Sequence, residues 1–190
     1  MNTNMKPLTD IKVAILSDDG FEEVELTSPK EMLESNGATV EIVSTKEKIR
    51  SWKGDNWNME LDTDILIDQA NADDYNALLI AGGVANPDLL RREEKVVDFV
   101  SSFFEDGKPI ASICHGPQVL IETGALNGRM MTSFPSIKTD LKNAGAQWID
   151  KSVVVDAGLV TSRSPEDLDD FNAKMIEEFA EGVHENQKTI

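Results

Sequence analysis

The 190-residue chain carries a single cysteine, Cys114, and the residue after it, His115, is one of only two histidines. A thiol beside an imidazole is a natural start for nucleophilic catalysis, because the thiolate attacks and the imidazole moves the proton. The surroundings strengthen that reading. An apolar, β-prone run from Pro109 to Ile113 stops at Cys114-His115-Gly116, and a helical pattern follows from Pro117 through Gln118, Val119, Leu120 and Ile121. The pattern predicts strand, tight turn and helix, with Pro117 in the first turn, where its missing N–H would have had no partner. A side chain at such a turn sits beside the free N–H groups of the helix, where an anion is favoured, so a thiolate is expected to be stabilised there. The layout is that of a nucleophile elbow with cysteine in place of serine. Two blander readings stand beside it. A lone cysteine is often a small buried hydrophobe, and a histidine next to it in sequence need not touch it.

The elements that must position these groups can be read along the chain. Ile11–Leu16, Ala38–Val43 and Tyr75–Ile80 are short apolar runs of the kind that form buried parallel strands, and each is followed by turn residues. A helix is expected from Phe21 to Asn36, stopped by Gly37 and made irregular by Pro29. Glu22 and Glu23 in its first turn suit a solvated face that complements the helix dipole. Glu22 and Glu25, three residues apart, share a face that overlooks the sheet edge. Ile49–Trp52 and Trp57–Glu60 flank a turn at Lys53–Asn56 and predict a hairpin insertion. Its tryptophans, Trp52 and Trp57, are expected to be exposed, as an interface patch or as cover for the core edge, with the interface favoured.

Gly82-Gly83 follows the Tyr75–Ile80 strand, and paired glycines there let backbone N–H groups approach a ligand, as an oxyanion hole requires. A helical turn opens at Asn86-Pro87-Asp88, and a helix covers Glu93–Asp106. Further on, Met130–Ser133 predicts a strand, Ser136–Ala144 a helix, Ser152–Asp156 and Leu159–Ser162 a hairpin, and Pro165 to about Glu181 the last helix. The polar tail after Gly182, including His184, is expected to fray.

Strands alternating with helices imply an α/β sandwich with a mostly parallel sheet, whose ligands lie beyond the carboxyl ends of the strands. The turns at Gly20–Glu25, Gly82-Gly83 and Cys114-His115 all project to that edge. One site can therefore hold a thiol, carboxylates and backbone donors.

The bulk numbers exclude several function classes. The net charge of −17 repels phosphate backbones and anionic membranes, so neither nucleic acid nor a membrane is an expected partner. One cysteine cannot form an intrachain disulfide, and no apolar run is long enough to span a bilayer. Met1–Asp10 lacks the apolar segment of a signal peptide, which makes a cytoplasmic location the expectation. No cofactor is expected, and two histidines and one cysteine, with His184 in the tail, do not form a metal-ligand cluster of usual spacing.

Taken together, Gly20–Leu26, Ala81–Gly83, Ile113–Pro117, Asn143–Gly145, Val153–Asp156 and Thr161–Arg163 resemble the PfpI-type intracellular protease and general stress protein family. That family belongs to the ThiJ/PfpI, class I glutamine amidotransferase-like superfamily, whose members include deglycase and glyoxalase proteins. The resemblance covers about residues 11–180 and implies one domain with a flavodoxin-like three-layer sandwich and a small hairpin insertion. It implies Cys114 as nucleophile with His115 beside it, and Glu25 hydrogen-bonded to the thiol with Glu22 as a second candidate. Gly82, Gly83 and the His115 backbone would line an oxyanion hole. It also implies a homodimer or higher homo-oligomer, in which Asp88 is a candidate acid reaching the site from a neighbouring subunit. Thr132-Ser133-Phe134 stands where related peptidases carry a tyrosine. Ser164-Pro165-Glu166 stands where amidotransferases carry His-Pro-Glu, so glutamine amidotransfer is not implied.

Two functions follow. One is a cysteine enzyme acting on carbonyl or acyl compounds, with a small aldehyde or a peptide as substrate, as a peptidase, deglycase or glyoxalase. The other is a redox sensor or holdase chaperone that uses the same thiol without turnover.

Overall fold

The structure is a computed structural model that describes residues 7–190; residues 1–6, the greater part of the polar opening segment, lie outside the described residues. In chain order the elements are β1 (Lys12–Leu16), β2 (Phe21–Glu22), α1 (Glu23–Ser35), β3 (Thr39–Ser44), β4 (Lys48–Lys53), β5 (Asn56–Asp62), β6 (Ile65–Leu66), β7 (Ala77–Ile80), α2 (Ala85–Leu90) and α3 (Glu94–Glu105). The chain continues through β8 (Ile110–Ile113), α4 (Pro117–Glu122), β9 (Met130–Met131), α5 (Lys138–Asn143), β10 (Gln147–Trp148), β11 (Val153–Asp156), β12 (Leu159–Ser162) and α6 (Leu168–Glu181).

Seven strands form the central sheet in the order β11-β12-β8-β7-β1-β3-β6. Every pairing in it is parallel except that of β11 with β12. Alternation along the strands sorts the apolar side chains to two faces. Ala14, Leu16, Leu78, Ile80 and Ile110 point to one core, where Val96, Phe99, Val100, Phe103 and Phe104 of α3 pack with residues of α4 and α5. Val13, Ile15, Leu79, Ala111 and Ile113 point to the other, filled by Leu26 and Leu33 of α1 and by Phe171, Met175 and Phe179 of α6. Burying both faces explains why these strands read as continuous apolar runs rather than alternating ones. The architecture is the expected three-layer α/β sandwich. Among the described residues, no helix is long and apolar enough to cross a membrane.

Several local expectations change. Phe21 and Glu22 do not open the helix. They form β2, paired in parallel with Ser51 and Trp52 of the β4–β5 hairpin, and α1 starts at Glu23. The backbone there is drawn into a three-stranded sheet by the hairpin, while Phe21 is fully buried. α1 continues through Pro29 to Ser35.

The solvated face expected for Glu23 is also wrong. Its carboxylate is buried and accepts from Ser51 Oγ at 2.8 Å, Lys53 Nζ at 2.8 Å and Asn58 Nδ2, which pins the hairpin to α1. The strand expected at Met130–Ser133 shortens to Met130–Met131. The tail does not fray among Gly182–Ile190. Gln187 is fully buried, Arg129 donates to its side chain at 2.7 Å, and His184 N–H donates to Gly107 O at 2.8 Å. A polar sequence concealed a segment held by polar contacts rather than by apolar ones.

Candidate active site

The carboxyl ends of β1, β7 and β8 converge as the topology requires. Cys114 closes β8 with φ +61°, a left-handed conformation rare for a residue with a side chain. The turn is held on both sides. Cys114 N–H donates to Ser162 O at 3.0 Å, Phe134 N–H donates to Cys114 O at 2.9 Å, and Gly116 N–H donates to Ile113 O at 2.9 Å. A left-handed backbone so constrained is a point of local strain.

The paired glycines lie against this elbow. A Cβ on Gly82 would stand 1.9 Å from Glu25 Oε2 and 2.7 Å from Cys114 Cβ, so only glycine lets the three groups meet. Gly83 has φ +89°, and a Cβ on it would stand 2.2 Å from Gly20 O. Asn86, fully buried and not anticipated from the sequence, clamps the loop. Its Nδ2 donates to Ala81 O at 2.8 Å and to Gly82 O at 3.0 Å, while its Oδ1 accepts from Asp18 N–H. An asparagine in a helix start carries no distinguishing signal in one sequence.

Glu25, in the first turn of α1, is fully buried. Burial pushes its carboxyl up to about 8; the thiol of Cys114 and the Gly83 N–H oppose the shift. These two contacts are loosely aligned, and neither carboxyl oxygen has a well-formed hydrogen bond. Glu25 is thus a neutral carboxylic acid at pH 7. Burial, and next the charge Glu25 would carry if ionised, push the Cys114 thiol up, against the backbone N–H groups of Gly83 and His115. The thiolate-stabilising environment expected from the helix N-terminus is therefore corrected. α4 has only 6 residues, so its dipole is weak, and burial outweighs it.

His115 is buried, with Nδ1 3.2 Å from Cys114 Sγ and Nε2 3.0 Å from Ser136 Oγ. Adjacent side chains do touch here, because the left-handed turn swings them together. Burial lowers the imidazole pKa, so the ring is neutral at pH 7. Its face stacks on Phe134 with ring centroids 4.8 Å apart. Ser136 and the stacking role of Phe134 had no signal in the sequence, since Phe134 sits in a loop and Ser136 in the single 3-10 turn after it, both remote from His115 along the chain.

Above the thiol opens a cavity of about 430 Å³. Glu22, Glu25, Cys114 and His115 supply its titratable groups, and Trp52, Trp57, Val84, Phe134 and Pro165 much of its apolar wall. Glu22 is half-buried, and burial raises its pKa. The tryptophans are exposed and meet edge to face at 5.4 Å, and they form part of the cavity wall. Asp88 is exposed on α2 and does not line the cavity. Among the described residues, the cavity groups do not converge as a metal-ligand cluster.

A doubly covered parallel sheet with a thiol on a strand-turn-helix elbow, a buried glutamate beneath it and a glycine turn beside it defines a flavodoxin-like protein with a cysteine site. The match to a family model over residues 11–178 makes the assignment specific: the chain belongs to the DJ-1/PfpI family. It is 46% identical over 159 residues to a Thermococcus kodakarensis protein named as a deglycase, covering 83% of this chain and 93% of that one. It is 42% identical to general stress protein 18 of Bacillus subtilis, covering 87% of this chain and 95% of that one. Among solved structures, a two-domain Anabaena variabilis protein with DJ-1/ThiJ/PfpI-like and ferritin-like domains superposes with a TM-score of 0.82 at 37% identity. That match covers 87% of this chain, which spans 47% of the two-domain protein.

Proposed function

We propose that the chain is a cysteine-dependent enzyme of the stress response, acting on small aldehydes or glycated side chains, with Cys114 as nucleophile. The observation that carries this reading is the position of the Cys114 thiol, 3.2 Å from His115 Nδ1 and beside the fully buried Glu25, at the floor of an apolar cavity. In the reaction Sγ bonds to the carbonyl carbon as the thiol proton passes to His115 Nδ1. His115 acts in the tautomer whose Nε2–H donates to Ser136 Oγ, 3.0 Å away, so that the Nδ1 lone pair faces the thiol. The π electrons move to the carbonyl oxygen, which is held by the N–H groups of Gly83 and His115 and takes a proton from Glu25. Glu25 is then reprotonated from His115, and the adduct formed in this first step is a neutral hemithioacetal, which must break down to free the thiol for turnover.

This scheme does not need a resting thiolate, which suits a thiol raised by burial. A cavity of about 430 Å³ admits a small molecule or one side chain rather than a folded protein, which favours the deglycase and glyoxalase readings over the peptidase one. The deglycase names of similar chains support the same choice. We keep in this proposal a homo-oligomer in which Asp88 of a second copy approaches the site, since Val84 at the cavity wall is 71% exposed.

The test is consumption of methylglyoxal, and release of it from glycated arginine, by the wild-type chain and by Cys114→Ser. Turnover that vanishes in the variant supports the enzyme; a wild-type chain with no turnover of either substrate or of a peptide sinks it. A second reading as a redox sensor is favoured by one feature, the neutral Glu25 carboxyl, which can donate a hydrogen bond to a sulfinate on Cys114. Peroxide treatment followed by mass measurement, with Glu25→Gln as comparison, tests that reading.

A further inference from the structure

At the end of α6, far along the chain from the thiol, Glu178 and Glu181 lie one turn apart. Gly182 ends the helix with φ +84°, and the chain turns so that His184 comes back to the same end. The imidazole is held in place. Its backbone N–H donates to Gly107 O, and its ring packs on the β11–β12 turn, where a Cβ on Gly158 would stand 2.8 Å from His184 Cδ2.

The ligand-capable atoms of the three side chains all lie within 4.8 Å of one another. His184 Nε2 is 3.4 Å from Glu178 Oε2 and 4.0 Å from Glu181 Oε2. Nε2 is closed off from solvent and has no hydrogen-bond partner, an unusual state for a buried ring nitrogen. Two ligand atoms bonded to one tetrahedral metal ion at about 2.0–2.1 Å stand about 3.4 Å apart, which is the spacing of His184 Nε2 from Glu178 Oε2. Glu178 is buried, so its carboxylate also lacks full hydration, while Glu181 is half exposed and free to close the remaining gap.

We propose that Glu178, Glu181 and His184 bind a divalent transition-metal ion, with Zn²⁺ fitting the two oxygens and one nitrogen best and water completing the tetrahedron. Through His184, the ion clamps the end of α6 to the β11–β12 turn at Gly158 and to Gly107 beyond α3. The site is structural and distinct from the thiol. The Glu-x-x-Glu-x-x-His spacing does not reveal it, because the two helical ligands and the histidine are joined only by the reversal at Gly182.

The experiment uses the full chain carrying Cys114→Ser, so that the thiol cannot bind the metal. Zn²⁺ is titrated against a chromophoric chelator, and Co²⁺ is followed by its visible absorption, with His184→Ala and Glu178→Gln as comparisons. The expected result is one equivalent bound by Cys114→Ser, a tetrahedral Co²⁺ band, and affinity lowered roughly tenfold or more by either ligand change. No binding at about 100 μM metal, far weaker than structural sites require, overturns the proposal. Binding that is indifferent to His184→Ala overturns it as well. Neither result bears on the thiol chemistry, which the methylglyoxal assay reads separately.

Discussion

Glu25 Oε2 occupies the space where Gly82 would carry a side chain, since a Cβ there would lie 1.9 Å away and would also press on Cys114 Cβ at 2.7 Å. Carboxyl, glycine and thiol are stacked in direct contact. The absence of one methyl group is what lets an acid from α1 reach a sulfur at the end of β8. The glycine turn therefore does more than supply backbone donors.

Gly82→Ala is the direct consequence. Gly82 does not adopt a left-handed φ, so alanine is permitted by the backbone, and the clash alone acts. Glu25 must move or the loop must shift, at a cost of about 1–3 kcal/mol. The chain is expected to fold with a lowered melting temperature and to lose turnover by roughly a hundredfold, the effect of about 1 Å of misplacement. Circular-dichroism melts and the methylglyoxal assay measure both. Undiminished turnover would mean that Glu25 has no part in the reaction.

Glu25→Gln separates the acid from its shape. A carboxyl pushed up to about 8 when folded, against its ordinary value of 4.5, keeps a proton that the unfolded chain has lost. Its contribution to stability is full below about 4.5 and declines as pH rises to about 8, by up to about 1.4 kcal/mol per unit. Glutamine is neutral throughout. Urea unfolding from pH 5 to pH 8 is expected to show wild-type stability falling relative to Glu25→Gln; parallel curves would mean an ionised or well-solvated Glu25.

Glu23 behaves in the opposite sense. Hydrogen bonds from Lys53, Asn58 and Ser51 hold its carboxylate down to about 2, so the stability it lends is present above the ordinary value of 4.5 and lost as pH falls toward 2. Lys53 is largely exposed, and salt screens its share, so the bonds from Ser51 and Asn58 carry most of the effect. Glu23→Gln is expected to loosen the hairpin that carries Trp52 and Trp57. Hydrogen exchange of β4 and β5 should quicken while the central sheet stays protected, and KM should rise more than kcat falls.

How much of this was legible follows from what each residue does locally. The strands announce themselves because both faces are buried, and the elbow because Cys114 interrupts an apolar run just before Pro117. Glu25 could be singled out by its spacing from Glu22, three residues earlier. Glu23 was misread because an acid in a first helical turn is usually solvated, and nothing in sequence says that a hairpin will fold back onto it. The protonation of the pair was also hidden, since burial is a property of the packed sheet. Asn86 and Ser136 act through contacts made only after folding. His184 looked like part of a loose tail because its anchors, Gly107 and Gly158, are remote in sequence.

Ser136 yields the sharpest test of the proton path. Its Oγ lies 3.0 Å from His115 Nε2 and holds the ring with Nδ1 toward the thiol, where the Nε2–H tautomer can take the thiol proton. It touches neither sulfur nor cavity and acts only through the imidazole. Ser136→Ala is expected to lower kcat by about tenfold with KM unchanged, because substrate contacts survive while the imidazole loses the partner that holds it toward the thiol. His115→Ala should cost more, in the range of about 10²–10⁴ for loss of a positioned base. Ser136 is exposed, so Ser136→Thr fits and restores the hydroxyl. Recovery of kcat in Ser136→Thr, together with an acid limb of kcat/KM lying below the ordinary histidine value of 6.5, matches the burial-lowered imidazole. A limb above 6.5, or a Ser136→Ala chain as fast as wild type, would remove His115 from the path and leave the thiol to transfer its proton by another route.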